Sequence, residues 1–265
     1  SQYWPAMEAY QKAIDNGVSN ADYAAFQKSI SYGFVNRIDT KLEELNGFIN
    51  RYPRSPYRDD AMYELGNTYV AANNTDQAIQ SYNRLIRDVP ESALVPKAML
   101  RQGLIYYNNN DGNKALERLR KVVAEFPNTP EAKQAVSTAR NVYVDLGRTD
   151  EYADWVRNID FVEVSDSDLD NATYEAAENQ YLNNNTAKAM ANFEKYVQNF
   201  PNGIHSINAN FYLAQLYYRD GKVDRSIANY RYVTSKPKNE FSEQALTRLS
   251  EIYLEKKDYA QALPL

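Results

Sequence analysis

Apolar residues recur at helical spacing through almost the whole chain, in pairs of stripes separated by short polar turns. The clearest pair lies in residues 59–90. Met62, Leu65, Gly66 and Tyr69 form one stripe, and Ala78, Ile79, Tyr82, Leu85 and Ile86 form the other. Asn73, Asn74, Thr75 and Asp76 lie between them as a turn that also offers an N-cap to the second helix. Pro90 ends the pair, because proline cannot continue a helix interior.

The same pattern returns along the chain. Prolines at 53, 90, 127, 201 and 237 fall on a spacing of 37 residues or its double, with a last step of 36, and Val164 stands where one member is missing. Small residues early in each second helix, Ala78, Ala115, Ala153, Ala189, Ser226 and Ala262, repeat every 36–38 residues. Two markers on one period establish an internal repeat. The fold class expected is all-α: a right-handed α-solenoid of antiparallel helical hairpins, about six repeats plus partial ends. Residues 1–17 read as the second helix of an earlier unit, and Lys41 replaces the small residue in the unit that follows. Ser55 before Pro56 and Thr129 before Pro130 both read as a cap followed by a first-turn proline. In the unit at 131–158, Tyr143 and Ala153 survive, but Asn141 stands where Gly or Ala is usual. Residues 159–170 replace the proline turn with an acidic, β-branched stretch, read as a solvated connector or bend. The chain therefore divides into an N-terminal array, 1–158, and a C-terminal array, 171–265, of one continuous solenoid. Both ends cut into a hairpin, which suggests a piece of a longer array or ends that pair with another copy.

In the unit at 59–90, Met62, Leu65, Gly66, Tyr69, Ala78, Tyr82, Leu85 and Pro90 occupy a pattern that resembles the tetratricopeptide repeat. The resemblance covers essentially the whole chain, with a period of 36–38 residues in place of about 34. The junctions Tyr52-Pro53-Arg54-Ser55, Phe126-Pro127-Asn128-Thr129 and Phe200-Pro201-Asn202-Gly203 are similar to those of bacterial cell-envelope members, the Tol-Pal-associated and outer-membrane-assembly types. The resemblance implies a non-catalytic scaffold that binds a protein or extended peptide along a concave groove lined by first helices. Carried onto this chain, the groove positions are Tyr63, Asn67, Val70, Lys97, Leu100, Leu104, Tyr107, Glu175, Asn179, Leu182, Asn208, Phe211, Gln215 and Tyr218. Tyr63 stands where a chaperone-tail carboxylate clamp would need Lys. Gly66 and Gly103, each about 1 kcal/mol less favourable in a helix than Ala, are expected to permit close approach to Ala78 and Ala115.

Composition narrows the chemistry. A net charge of −5 argues against a nucleic-acid partner, which requires a basic stripe. Tyrosine supplies 23 residues, which suits a thin structure in which ring bodies pack and hydroxyls stay wet. No 18-residue apolar run is present, so no segment is expected to insert in a bilayer, and the first five residues do not read as a signal peptide. The absence of Cys excludes disulfides and leaves the compartment open: periplasmic or envelope-associated on the resemblance, otherwise cytoplasmic. With a single histidine, His205, and no glycine-rich phosphate loop, no catalytic group, metal or cofactor is expected. Asp160, Glu163, Asp166, Asp168 and Asp170 lack the spacing of an EF-hand loop. Self-association through the ends is one alternative. A carbohydrate-active α/α toroid using Glu175 and Glu178, which lie on one helix face, is a more distant one.

Overall fold

A computed structural model describes residues 3–265, and among these all regular structure is helical. The helices are α1 (Tyr3–Asp15), α2 (Ala21–Phe34), α3 (Ile38–Arg51), α4 (Arg58–Ala71), α5 (Thr75–Asp88), α6 (Val95–Asn108), α7 (Gly112–Glu125) and α8 (Pro130–Asp145). They continue with α9 (Thr149–Val156), α10 (Asp166–Leu182), α11 (Thr186–Asn199), α12 (Ser206–Arg219), α13 (Val223–Thr234), α14 (Ser242–Glu255) and α15 (Tyr259–Ala262). Two compact units are present, residues 1–138 and 139–265, so the division falls within α8 and not at the acidic stretch. Inside each unit the extensive contacts join helices that are consecutive in the chain, as a solenoid of hairpins requires.

The hairpin turns carry a third marker of the repeat. Asn36, Asn73, Asn110, Gly147, Asn184, Gly221 and Lys257 all have φ between 57° and 74°, the left-handed region. Their spacing is 37 residues five times and then 36. Asn and Gly tolerate this conformation best, which explains six of the seven identities. At Asn73 and Asn74 the backbone N–H groups return to Val70 and Tyr69, closing α4, while the Asn74 side chain accepts from Gln77 N and opens α5.

In the first unit the core runs through Leu45, Phe48, Ile49, Met62, Leu65, Ala78, Tyr82 and Leu85. Gly66 is packed against the Tyr82 ring, not chiefly against Ala78: a Cβ there would collide with three atoms of the ring. At Gly103 the close neighbour is Leu119, one helical turn beyond Ala115. Tyr82 is fully buried and donates its hydroxyl to Asn67 Oδ1 at 2.7 Å. Lys41 fills its small-residue position by passing its stem over Gly33 and pairing with Glu64.

The irregular unit differs from the sequence reading by one residue. Counting from the turn at Gly147, the small-residue position holds Tyr152, not Ala153, and the Gly position holds Arg140, not Asn141. Large groups thus occupy both close-approach sites. Tyr152 is buried with Tyr143 and Trp155, at ring separations of 5.9–6.5 Å. α9 stops after 8 residues, and an open cleft of about 610 Å³ lies beside it, lined by Ala153, Leu169, Thr173 and Phe200 among others.

The stretch at 159–170 is only partly a connector. Ser165 and Asp168 form a reciprocal capping box, so residues from Asp166 onward belong to α10. Asp170, read as solvated, is buried. It accepts from the Tyr196 hydroxyl at 2.5 Å and from Ile204 N at 2.7 Å.

Candidate interaction face

The first helices of successive hairpins present equivalent positions 37 residues apart, fixed by the left-handed turns that follow them. In the first unit these helices are α4 and α6. Tyr63 is half-buried, with its ring 5.8 Å from Tyr82, and its phenol raises the pKa of the Arg101 guanidinium of the next repeat. Asn67 is occupied by Tyr82, and Val70 remains 38% exposed. On α6, Lys97 is exposed and Leu104 and Tyr107 are half-buried. Leu100 is 6% exposed and belongs to the core, so it is not a contact residue. Asp60 stands in the same face; burial and the adjacent Asp59 push its carboxyl up, and Lys97 partly offsets this.

In the second unit the register of α10 differs by one residue from the sequence expectation. Lys97, Leu100, Leu104 and Tyr107 have their equivalents on α10 at Asn171, Tyr174, Glu178 and Tyr181, because Asn184 lies 74 residues after Asn110. The positions expected from sequence, Glu175, Asn179 and Leu182, are each displaced by one residue. Glu175 consequently reaches back to Arg140 at 2.8 Å, Asn179 is half-buried, and Leu182 is 68% exposed at the end of α10. The signal that finds the right register was present in the asparagine-rich turns.

On α12, Asn208, Gln215 and Tyr218 are half-buried and face this side. Phe211 does not: it is 3% exposed and stacked on Phe241 at 4.4 Å. Gln215 Oε1 accepts from the Tyr181 hydroxyl at 3.2 Å, and the Arg248 guanidinium lies over the Tyr218 ring at 4.9 Å. Arg140 with Glu175, Tyr181 with Gln215 and Tyr218 with Arg248 are therefore ties between first helices of neighbouring repeats. These polar groups hold one another in place and still keep part of their surface in water. Sequence reasoning missed Arg101, Tyr212 and Arg248, which each lie one position beyond a lining position, and Arg140, which stands at the Gly position of the irregular repeat.

His205 precedes α12. Its ring stacks on Tyr174 at 4.2 Å and bonds Asn171 Oδ1 at 2.7 Å. Glu178 accepts from the Tyr174 hydroxyl at 3.0 Å. Burial, followed by Glu178, pushes the Tyr174 phenol well above its usual range. These groups are arranged as donors, acceptors and flat rings at a surface.

A family model described as a tetratricopeptide repeat-like domain matches residues 162–265, and a tetratricopeptide repeat model matches 60–92 and 97–129. Among solved structures, the C-terminal part of a TPR repeat-containing protein from Cytophaga hutchinsonii is 15% identical, with a TM-score of 0.49 over 92% of this chain and 95% of that one. A tetratricopeptide repeat protein from Parabacteroides merdae is also 15% identical, with a TM-score of 0.46 over 92% and 90%. No curated protein matches the chain.

Proposed function

Because the chain is a tetratricopeptide-repeat protein, we propose that it is a non-catalytic scaffold that takes a protein or extended peptide along its first helices. The observation that supports this reading most is that the first helices of each unit carry half-exposed aromatic and amide side chains. Tyr63, Asn67, Tyr107, Asn208, Gln215 and Tyr218 present rings and hydrogen-bonding groups to solvent. Those in the cross-repeat ties are already positioned, so a partner would order few of them on binding. Val70 and Lys97 complete the set in the first unit. Glu178 and Tyr181 replace Asn179 and Leu182 in the second. A bacterial envelope assembly is the setting we propose, on the aromatic-Pro junctions at 52–55, 126–129 and 200–203. No described helix is long and apolar enough to cross a membrane.

Self-association is the second reading. Its support is the α1–α2 hairpin, where Tyr3 and Phe34 stack at 4.9 Å and both stay exposed beside Trp4. Site-specific photo-crosslinking in the native host separates the two. A crosslinking residue at Tyr107 or Tyr218 should capture a second protein, while one at Glu117 on the opposite helix layer should not. Capture at Phe34 of another copy of the chain, with none at Tyr107 or Tyr218, would favour self-association and sink the groove reading.

A further inference from the structure

The carboxylates on and beside the first helices of the second unit are not all balanced. Glu175 is paired with Arg140 at 2.8 Å, and Glu251 with Arg248 at 2.7 Å. Glu178 on α10 and Glu240, just before α14, have no ion-pair partner among the described residues. The nearby Lys236 lies over the Tyr232 ring at 4.4 Å. Aromatic residues adjoin both acids in the chain: Tyr181 one turn after Glu178 on α10, and Phe241 directly after Glu240. Tyr181 and Tyr212 lie 4.9 Å apart, and Tyr212 meets Phe241 edge-on at 5.8 Å. The Tyr212 ring is half-buried. Both carboxylates act on it: after burial itself, Glu178, Tyr181 and Glu240 push the Tyr212 phenol up.

Phe193 stacks on Tyr212 at 5.8 Å, and negative charge near the part of the ring that stays exposed favours a cation there. A guanidinium fits better than an ammonium, because its plane can lie on the Tyr212 ring while its edge donates to a carboxylate. We propose that Glu178, Tyr181, Tyr212 and Glu240 form a seat for an arginine side chain of an extended segment of the partner protein. This rests on the groove-binding reading and gives that partner a stated chemistry.

The test titrates the whole chain with the peptide acetyl-Gly-Ser-Arg-Gly-Ser-amide and follows backbone amide shifts by nuclear magnetic resonance. Saturable shifts should centre on Tyr181, Tyr212 and Phe241. The same peptide with citrulline, neutral but equal in shape, should bind at least tenfold more weakly, and a lysine peptide about threefold more weakly. Glu178→Gln with Glu240→Gln should weaken the arginine peptide at least fivefold, as should Tyr212→Ala, whereas Tyr212→Phe should keep most of the binding. Equal binding of citrulline and arginine, shifts spread over the surface, or an unaffected double Gln variant would overturn the seat. A lysine peptide binding as tightly as arginine would overturn the guanidinium assignment. Should the double variant still crosslink its partner at Tyr107 and Tyr218 at wild-type yield, the seat fails and the groove reading stands.

Discussion

At the scale of single residues, the repeat is held by contacts whose chemistry changes while their position does not. Asp22, Asp59 and Asp170 occupy the same place near the start of a first helix. Asp22 accepts from Ser55 Oγ at 2.7 Å and Asp59 from Ser92 Oγ at 2.6 Å, each tying down the turn that begins the next repeat. Ser55 is therefore a tether, not the helix cap its place before Pro56 suggests; α4 starts three residues later. Asp170 ties its turn through Ile204 N, and Gly203 is required there because a Cβ would collide with Asp170, Tyr196 and Phe200. Asp170→Ala strands the Tyr196 hydroxyl and a backbone N–H, and should cost about 2–3 kcal/mol in urea unfolding. Glycines supply a second test. Gly66→Ala should destabilise by about 1–3 kcal/mol because the Tyr82 ring is in the way. Gly47→Ala, also inside a helix but with nothing within 4 Å, should stabilise by about 0.5–1 kcal/mol. Matching signs for the two glycines would refute the packing account. The helical stripes made Gly66 conspicuous in sequence; the aspartate tethers were illegible, because their partners lie 33–34 residues away.

At the scale of elements, hairpins follow from local sequence and register follows from the turns. The apolar stripes and the Asn-rich turns predict every regular hairpin, since each buries its stripe against the next helix in the chain. The irregular hairpin escaped this logic. Tyr152 and Arg140 fill sites that Ala and Gly occupy elsewhere, and the proline and alanine lattice alone cannot reveal a one-residue shift. That shift also carried the α10 contact residues onto the wrong face. α10 itself begins from a local signal, the Ser165–Asp168 box. Hydrogen bonds from Ser165 hold the Asp168 carboxyl below its ordinary value of 3.8. A depressed folded pKa means that the contribution is present above 3.8 and is lost as pH falls through the folded value. Ser165→Ala should therefore cost about 1 kcal/mol at pH 7. The difference from wild type should shrink below pH 3.8. A gap that stays constant from pH 7 to pH 2.5 in thermal melts would count against the reciprocal cap.

At the scale of the whole molecule, stability and function are both distributed. The extensive contacts link helices that are neighbours in the chain, so each repeat is supported by the next and by little else. A chain of this kind opens in parts. Among the hairpins away from the ends, the irregular one is the weakest: α9 has two turns, buries Thr149, Tyr152 and Val156, and leads into residues 157–165 without helix. Hydrogen exchange should find α9 and 157–165 less protected than α5 or α11, each of which has 14 residues and four buried side chains. Locality gives the sharper test. Gly66→Leu should strip protection from α4 and α5, where the added side chain displaces Tyr82, and leave α12 and α13 at wild-type rates. An interaction surface built on such a scaffold tolerates damage in one repeat while presenting the others, which is the behaviour expected of a protein that grips an extended partner at many weak points. Loss of protection throughout both units on that one substitution would show that the chain folds as a single cooperative block, and would make any one contact residue answerable for the whole face.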